Sequence, residues 1–263
     1  MTESPELVVL HPPGLARTAI KANDDDALLA LFDDPPLRAA TGAHVRAIML
    51  RSLDGAATGP DGRSGSLGDG ADRRVFGALR ALADVVLVGA GTVRAEGYDD
   101  VQVPDRLRAA RAARGRAERV ELAVVTASGD VPDGALDAGA LIVTSSAAPG
   151  LRGLRERVGD DRLVLADGPD AGPVDLAVAL RGLADRGLAR VHTEGGPTLL
   201  RELLAAGLVD ELCLTVAPVL VGGVGHRPVV GREGAPPLAA PVRLELLHLL
   251  HGGDTLLGRW HVP

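Results

Sequence analysis

Arg190-Val191-His192-Thr193-Glu194-Gly195-Gly196-Pro197-Thr198-Leu199-Leu200 is the stretch on which the fold turns. The run Val191–Thr193 reads as a buried strand, and the residues from Pro197 to Ala206 read as a helix, with proline suited to a first helical position. Between them Gly195 and Gly196 clear the approach to the helix start, whose unpaired N–H groups then face an anion such as a pyrophosphate. A plain helix entry capped by Thr193 or Glu194 does not explain two glycines before the proline. His192, within an apolar strand, reads as a satisfied core residue.

The same grammar recurs along the chain. Val45–Leu50, Val85–Val88, Leu122–Val125, Leu141–Val143 and Leu163–Leu165 are short aliphatic runs of the kind found in strands buried on both faces. Asp72–Ala83, with Val75, Phe76, Leu79 and Leu82 on one side, and Asp175–Arg186, with Leu176, Leu180 and Leu183, read as amphipathic helices. Alternating strand and helix implies a mostly parallel central sheet flanked by helices, an α/β fold whose ligands sit at the strands' C-terminal ends. At the end of the chain, Glu211–Val216 and Arg243–Leu249 read as longer strands. Leu249–Val262, turning at Gly252, Gly253 and Asp254, reads as a C-terminal antiparallel hairpin. Residues 1–42 read as an N-terminal arm with a helix over Asp24–Phe32, and 43–263 as a single domain. Pro104–Glu118 reads either as a helical insertion or as a mobile flap.

Composition narrows the functional classes. The chain has 263 residues, 46% of them apolar and only 2% aromatic, so its core is aliphatic and no stacking platform for bases is available. A net charge of −7 argues against nucleic-acid and anionic-membrane binding. The single cysteine, Cys213, excludes an internal disulfide and a cysteine-rich zinc site; it reads as a buried small hydrophobe and points to the cytoplasm. No metal site is expected. The first ten residues lack the pattern of a secretory signal, and no apolar run is long enough to span a bilayer.

Three further features can carry chemistry. Ser52-Leu53-Asp54-Gly55 follows a strand directly, and is read either as a ligand-facing edge or as a tight turn capped by its own side chains. Gly89-Ala90-Gly91-Thr92 empties from a strand into a glycine pair, and is read either as a phosphate approach or as a structural turn; Arg94 stands where a dinucleotide fingerprint has its last glycine. Asp72 and Arg80 lie on one helix. Asp72 can accept hydrogen bonds from an amino-substituted ring and Arg80 can hold a phosphate, though solvated helix charges have the same spacing.

Taken in order, Ser52–Gly55, the helix Phe76–Ala83, Val86–Arg94, Thr193–Leu200 and Leu208–Gly223 resemble the reductase domain of riboflavin biosynthesis, a member of the dihydrofolate-reductase-like superfamily. The resemblance implies NADPH lying across the sheet. Its pyrophosphate would rest on Gly195, Gly196, Pro197, Thr198 and Leu199, with Gly89, Gly91 and Thr92 closing over it and Thr126 and Ser128 meeting the adenosine ribose. Arg94, Arg152 and Ser128 are candidates for the 2′-phosphate. Ser52, Asp54, Ser64, Asp72, Arg80 and Glu194 fall where that family lines its substrate pocket, Asp54 or Asp72 orienting the substrate. The implied reaction delivers a hydride to C1′ of the opened ribose of a phosphoribosylamino-pyrimidinedione, in a homodimer formed through Leu208–Val221. The chain departs from the pattern in two ways. It has no zinc deaminase segment, which implies a stand-alone reductase, and its strand Arg46–Arg51 lacks the family's lysine. A dihydrofolate or pterin reductase, and an NADPH-binding module without turnover, are the alternatives.

Overall fold

The computed structural model describes residues 5–12, 18–32, 35–168, 173–222, 227–231 and 237–263. Gly223, part of the last matched segment, lies outside them. One sheet runs through the molecule. Its parallel block consists of β3 (His44–Ser52), β4 (Val85–Gly89), β5 (Glu121–Val125), β6 (Leu141–Thr144), β7 (Leu163–Leu165), β8 (Arg190–Gly195) and β9 (Glu211–Ala217). These lie in the order β9-β3-β8-β4-β5-β6-β7. On the β9 side the sheet continues antiparallel through β11 (Thr255–His261) and β10 (Glu245–Gly252), the expected hairpin, turning between Gly252 and Thr255.

Two strands before residue 43 belong to this sheet, so the described part of that segment is not a separate arm. β1 (Leu7–His11) pairs with β10, and β2 (Ala19–Ile20) pairs with β1. A buried arginine adds a second attachment: Arg74 is 1% exposed and spends its guanidinium on the carbonyls of Pro5, Ile20 and Lys21 at 2.7, 3.3 and 2.7 Å. Carbonyls held this way satisfy a charge that water can no longer reach, which fastens the N-terminal segment to the body.

Eight helices flank the sheet among the described residues: α1 (Asp25–Ala30), α2 (Gly70–Leu82), α3 (Ala90–Glu96), α4 (Asp105–Ala113), α5 (Asp133–Asp137), α6 (Leu151–Val158), α7 (Leu176–Ala184) and α8 (Pro197–Ala205). Side chains alternate along each strand. On β4, Val85 and Leu87 pack with α7 and α8 on one face, while Val86 and Val88 pack with α1 to α6 on the other. α2 begins two residues before Asp72 because Asp69 caps it, accepting from the Asp72 N–H at 2.9 Å and from the Thr255 hydroxyl at 2.7 Å.

Pro104–Glu118 carries the helix α4 over Asp105–Ala113 and is anchored to the body, not a flap. Arg111 of α4, 1% exposed, donates to the carbonyls of Ala81 at 3.1 Å and Ala83, closing the C-terminal end of α2. Its other donors reach the carbonyls of Ala117 and Arg119. Swinging this helix outward would leave the Ala81 and Ala83 carbonyls without these donors.

Candidate active site

β4 and β8 are neighbours, yet β4 feeds α3 on one face and β8 feeds α8 on the other. Where adjacent parallel strands send their helices to opposite faces, the strand ends part and leave a crevice. A cleft of about 980 Å³ opens there. Neither α3 nor α8 has a side-chain cap: their caps are Gly89 and Gly196, so the first N–H groups of both helices lack side-chain acceptors. Gly196 lies so close to α3 that a Cβ there would stand 2.6 Å from Thr92 Oγ1. Gly195 has φ +94°, a conformation few residues other than glycine adopt, and the Gly195–Gly196 peptide is cis.

The cleft gathers ten of the expected residues: Ser64, Asp72, Arg80, Gly91, Thr92, Glu194, Gly196, Pro197, Thr198 and Leu199. Six others do not line it. Gly89 and Gly195 are the last residues of β4 and β8. Thr126 and Ser128 organise the loop after β5, where Thr126 Oγ1 accepts from Gly129 N at 3.1 Å and Ser128 Oγ from Asp130 N at 3.2 Å.

Ser52 and Asp54 form a turn. Ser52 is fully buried and its Oγ accepts from Ala56 N at 2.8 Å while donating to Asp54. Asp54 also accepts from Gly222 N at 2.8 Å and Val221 N at 3.3 Å. Those donors, the Ser52 hydroxyl first, hold its pKa at about 2. This carboxylate fastens the segment after β9, and is committed to it.

Charge in the cleft is concentrated in one cluster. Arg80 reaches from α2 to the end of β8, its Nε and Nη2 donating to Glu194 Oε1 and Oε2, both at 2.7 Å. Parallel contacts of this kind suit the planar guanidinium fork. Tyr98, just beyond α3, donates its hydroxyl to Glu194 Oε2, and Arg80 stacks 4.3 Å from the Phe76 ring centroid. Burial lowers the Arg80 pKa, but the hydrogen bonds and charge of Glu194 outweigh it and the net shift is upward. Arg80 thus serves Glu194 before it can serve a phosphate.

Sequence reasoning missed Tyr98; its signal was that it is the chain's single tyrosine. It also missed Glu96, whose Oε1 accepts from Ser64 N at 2.8 Å and so fixes the loop between β3 and α2 to α3. Of the phosphate candidates, Arg94 pairs with Asp130 at 3.1 Å, and Arg152 is 92% exposed and pairs with Glu156 at 3.0 Å. His192 is buried and neutral, its pKa well below the usual value because of burial and the nearby Arg46; its Nδ1 has no partner. Burial pushes the Cys213 thiol up to about 12. No cluster of metal-binding side chains occurs among the described residues, and no helix among them is long and apolar enough to cross a membrane.

Comparison with known proteins identifies the family. The RibD C-terminal domain family matches residues 43–257. The 2,5-diamino-6-ribosylamino-4(3H)-pyrimidinone 5′-phosphate reductase of Methanothermobacter thermautotrophicus is 32% identical over 217 residues, covering 80% of this chain and 94% of that protein. Riboflavin biosynthesis protein RibD of Mycobacterium tuberculosis is 32% identical over 181 residues, 68% of this chain and 43% of that protein. The crystal structure of a pyrimidine reductase-like protein from Corynebacterium diphtheriae superposes with a TM-score of 0.71 at 25% identity, over 90% of this chain and 98% of that one. The chain therefore belongs to the RibD C-terminal domain family, the pyrimidine reductases of riboflavin biosynthesis.

Proposed function

We propose that the cleft binds NADPH and a phosphorylated ribosylaminopyrimidine together and reduces the sugar to a ribityl chain. The observation that carries this reading is the pair of helix starts without side-chain caps, α3 and α8, meeting across Gly196 at the edge of a cleft large enough for both molecules. The backbone N–H groups of Gly196, Thr198 and Leu199 hold the pyrophosphate, Pro197 having none to offer, and the bare Cα of Gly196 lets it approach. Gly89 and Gly91 with Thr92 close over it from α3. Thr126 and Ser128, at the end of the neighbouring strand β5, receive the adenosine ribose. Bound there, the reduced nicotinamide supplies a hydride to C1′ of the opened ribose.

The protein's own contribution is positioning and exclusion of water. Glu194, fixed by Arg80 and Tyr98, presents an immobile carboxylate at the mouth of β8. Ser64 stands on a loop tied to α3, and Ile48, Met49 and Phe76 supply apolar walls. On this reading Arg94 and Ser128 meet the 2′-phosphate, and comparing the dissociation constants of NADPH and NADH tests that preference.

We also propose a cytoplasmic homodimer. Half-buried Leu212, Leu214 and Val216 of β9 share one face with exposed Leu256 and with Trp260 of β11, which lie opposite Val216 and Leu212. An apolar sheet face of this kind marks an interface, and sedimentation of the purified protein tests it.

The deciding experiment is NADPH oxidation by purified protein supplied with a ribosylaminopyrimidine phosphate. Turnover far above that with dihydrofolate is expected. Binding of NADPH without turnover would overturn the assignment.

A further inference from the structure

One side of α2 presents Asp72, Phe76 and Arg80 at four-residue intervals, and all three line the cleft. Four residues advance a helix by about 6 Å, so the row runs alongside any flat ring lying in the cleft. Two of its members are already engaged, since Arg80 grips Glu194 and lies over Phe76. Asp72 is not. Among the described residues it has no ion-pair partner; Thr215 brings a hydroxyl to it, and Asp69 and Arg73 act on its charge with opposite signs.

An ionised carboxylate only accepts hydrogen bonds, and one withdrawn from water without donors is costly. Burial raises the Asp72 pKa accordingly. The Thr215 hydroxyl fills only part of its accepting capacity, so the cleft offers an incoming ring a carboxylate with acceptor positions to spare. The two rings this family can meet differ along one edge. A 2-amino-4-pyrimidinone presents a ring N–H beside an exocyclic NH2, two donors that match a carboxylate in parallel. A pyrimidinedione presents the same N–H beside a carbonyl, which sets oxygen against oxygen.

We propose that Asp72 determines substrate specificity by reading the amino-bearing edge of the pyrimidine, so that this chain reduces the ring before, not after, hydrolytic loss of that amino group. This replaces the pyrimidinedione expected from sequence as the preferred substrate, and it rests on the reading of the cleft as a ribosylaminopyrimidine phosphate site. Asp72 is the discriminating group because the other carboxylates of the cleft are committed: Glu194, at the end of β8, has both oxygens occupied by Arg80 and Tyr98, and Glu96 holds the Ser64 N–H.

The test compares kcat/KM of the purified full chain, with NADPH, for 2,5-diamino-6-ribosylamino-4(3H)-pyrimidinone 5′-phosphate and for 5-amino-6-(5-phosphoribosylamino)uracil. Hydrogen bonds to a charged group lead us to expect a preference of about 10- to 100-fold for the diamino substrate. Asp72→Asn, whose amide offers one acceptor and one donor, matches the N–H and carbonyl edge and should reverse the order. A purely structural role would lower both rates alike in that variant and would overturn the proposal. Equal rates, or preference for the uracil, in the unmodified chain would also overturn it while leaving the reductase reading intact. Turnover of neither substrate would overturn both. The comparison in the unmodified chain does not depend on the variant folding.

Discussion

Arg80 and Glu194 stand 114 positions apart in the chain and meet through two parallel hydrogen bonds of 2.7 Å, joining α2 to the end of β8. Their side chains are 14% and 2% exposed, so neither charge is readily solvated if its partner is removed. Arg80→Met should therefore destabilise the fold by about 3–5 kcal/mol, the usual cost of leaving one half of a buried pair. The double variant Arg80→Met with Glu194→Gln should recover part of that loss. Urea unfolding measures both. If the single variant costs no more than the double, the pair contributes nothing as a pair.

Tyr98 makes a second, separable claim about the same cluster. Burial, reinforced by the Glu194 charge, raises its pKa well above the ordinary value of 10. Stability from the neutral hydroxyl is thus fully present below pH 10 and is lost as pH rises beyond it, toward the folded-state value. Since this is the chain's single tyrosine, an ultraviolet difference titration reads it alone. Tyrosinate should appear only as the protein unfolds. Its appearance near pH 10 in folded protein would show a solvated hydroxyl and no bond to Glu194. Tyr98→Phe should cost about 1 kcal/mol.

What was legible in the sequence follows from where each signal was local. β4, β5 and β6 announce themselves because strands covered on both faces are continuously aliphatic. The turn at Gly195-Gly196-Pro197 announces itself because the constraint on each residue is a backbone constraint. β1 was hidden: Leu7–His11 is five residues long and pairs with β10 at the other end of the chain. The Ser52–Asp54 turn was visible as a motif, but its partners, Val221 and Gly222, lie far along the chain, so a latch and a binding edge look alike in sequence. Arg74 and Arg111 look like solvated helix charges until the carbonyls they bind are in place.

Acid lability follows from two buried histidines. His248, 5% exposed and packed edge-on against Phe32, has a pKa lowered to about 4 by burial and then by Arg259, and His192 is lowered well below 6.5. Both prefer the neutral form when folded. Their contribution is present above the unfolded value of 6.5 and is lost as pH falls from there, for His248 through about 4. The effect of His248 over that range is on the order of 3 kcal/mol. Denaturant midpoints measured from pH 7 to 4 should fall, and His248→Leu should flatten the slope by about one proton. An unchanged slope would place the titration elsewhere.

Gly196 tests the cradle without touching a polar side chain. A Cβ there meets Thr92 Oγ1, the end of a side chain that can rotate away, so Gly196→Ala should fold. NADPH affinity should nevertheless fall by about tenfold or more, because the added methyl and the displaced Thr92 occupy the anion's approach. Fluorescence titration of NADPH reads this directly. Unaltered affinity would move the pyrophosphate away from α8.

Asp54 fastens the chain that rims the cleft. Its carboxylate receives Ser52 Oγ and the N–H groups of Val221 and Gly222, and Leu53 N donates to Val219 O at 2.8 Å beside it. Val230 and Gly231, further along, line the cleft itself. Because the Asp54 pKa is depressed to about 2, the latch is present above the ordinary carboxylate range and is lost only as pH falls toward that value, below any usual assay condition. Asp54→Ala should therefore release the segment at neutral pH. Leu220 is already 74% exposed, and chymotryptic cleavage there should accelerate, with KM for the pyrimidine rising more than kcat falls. An unchanged cleavage rate would show that the backbone bond between Leu53 and Val219 suffices to hold the segment, and that Ser52 and Asp54 only shape their own turn.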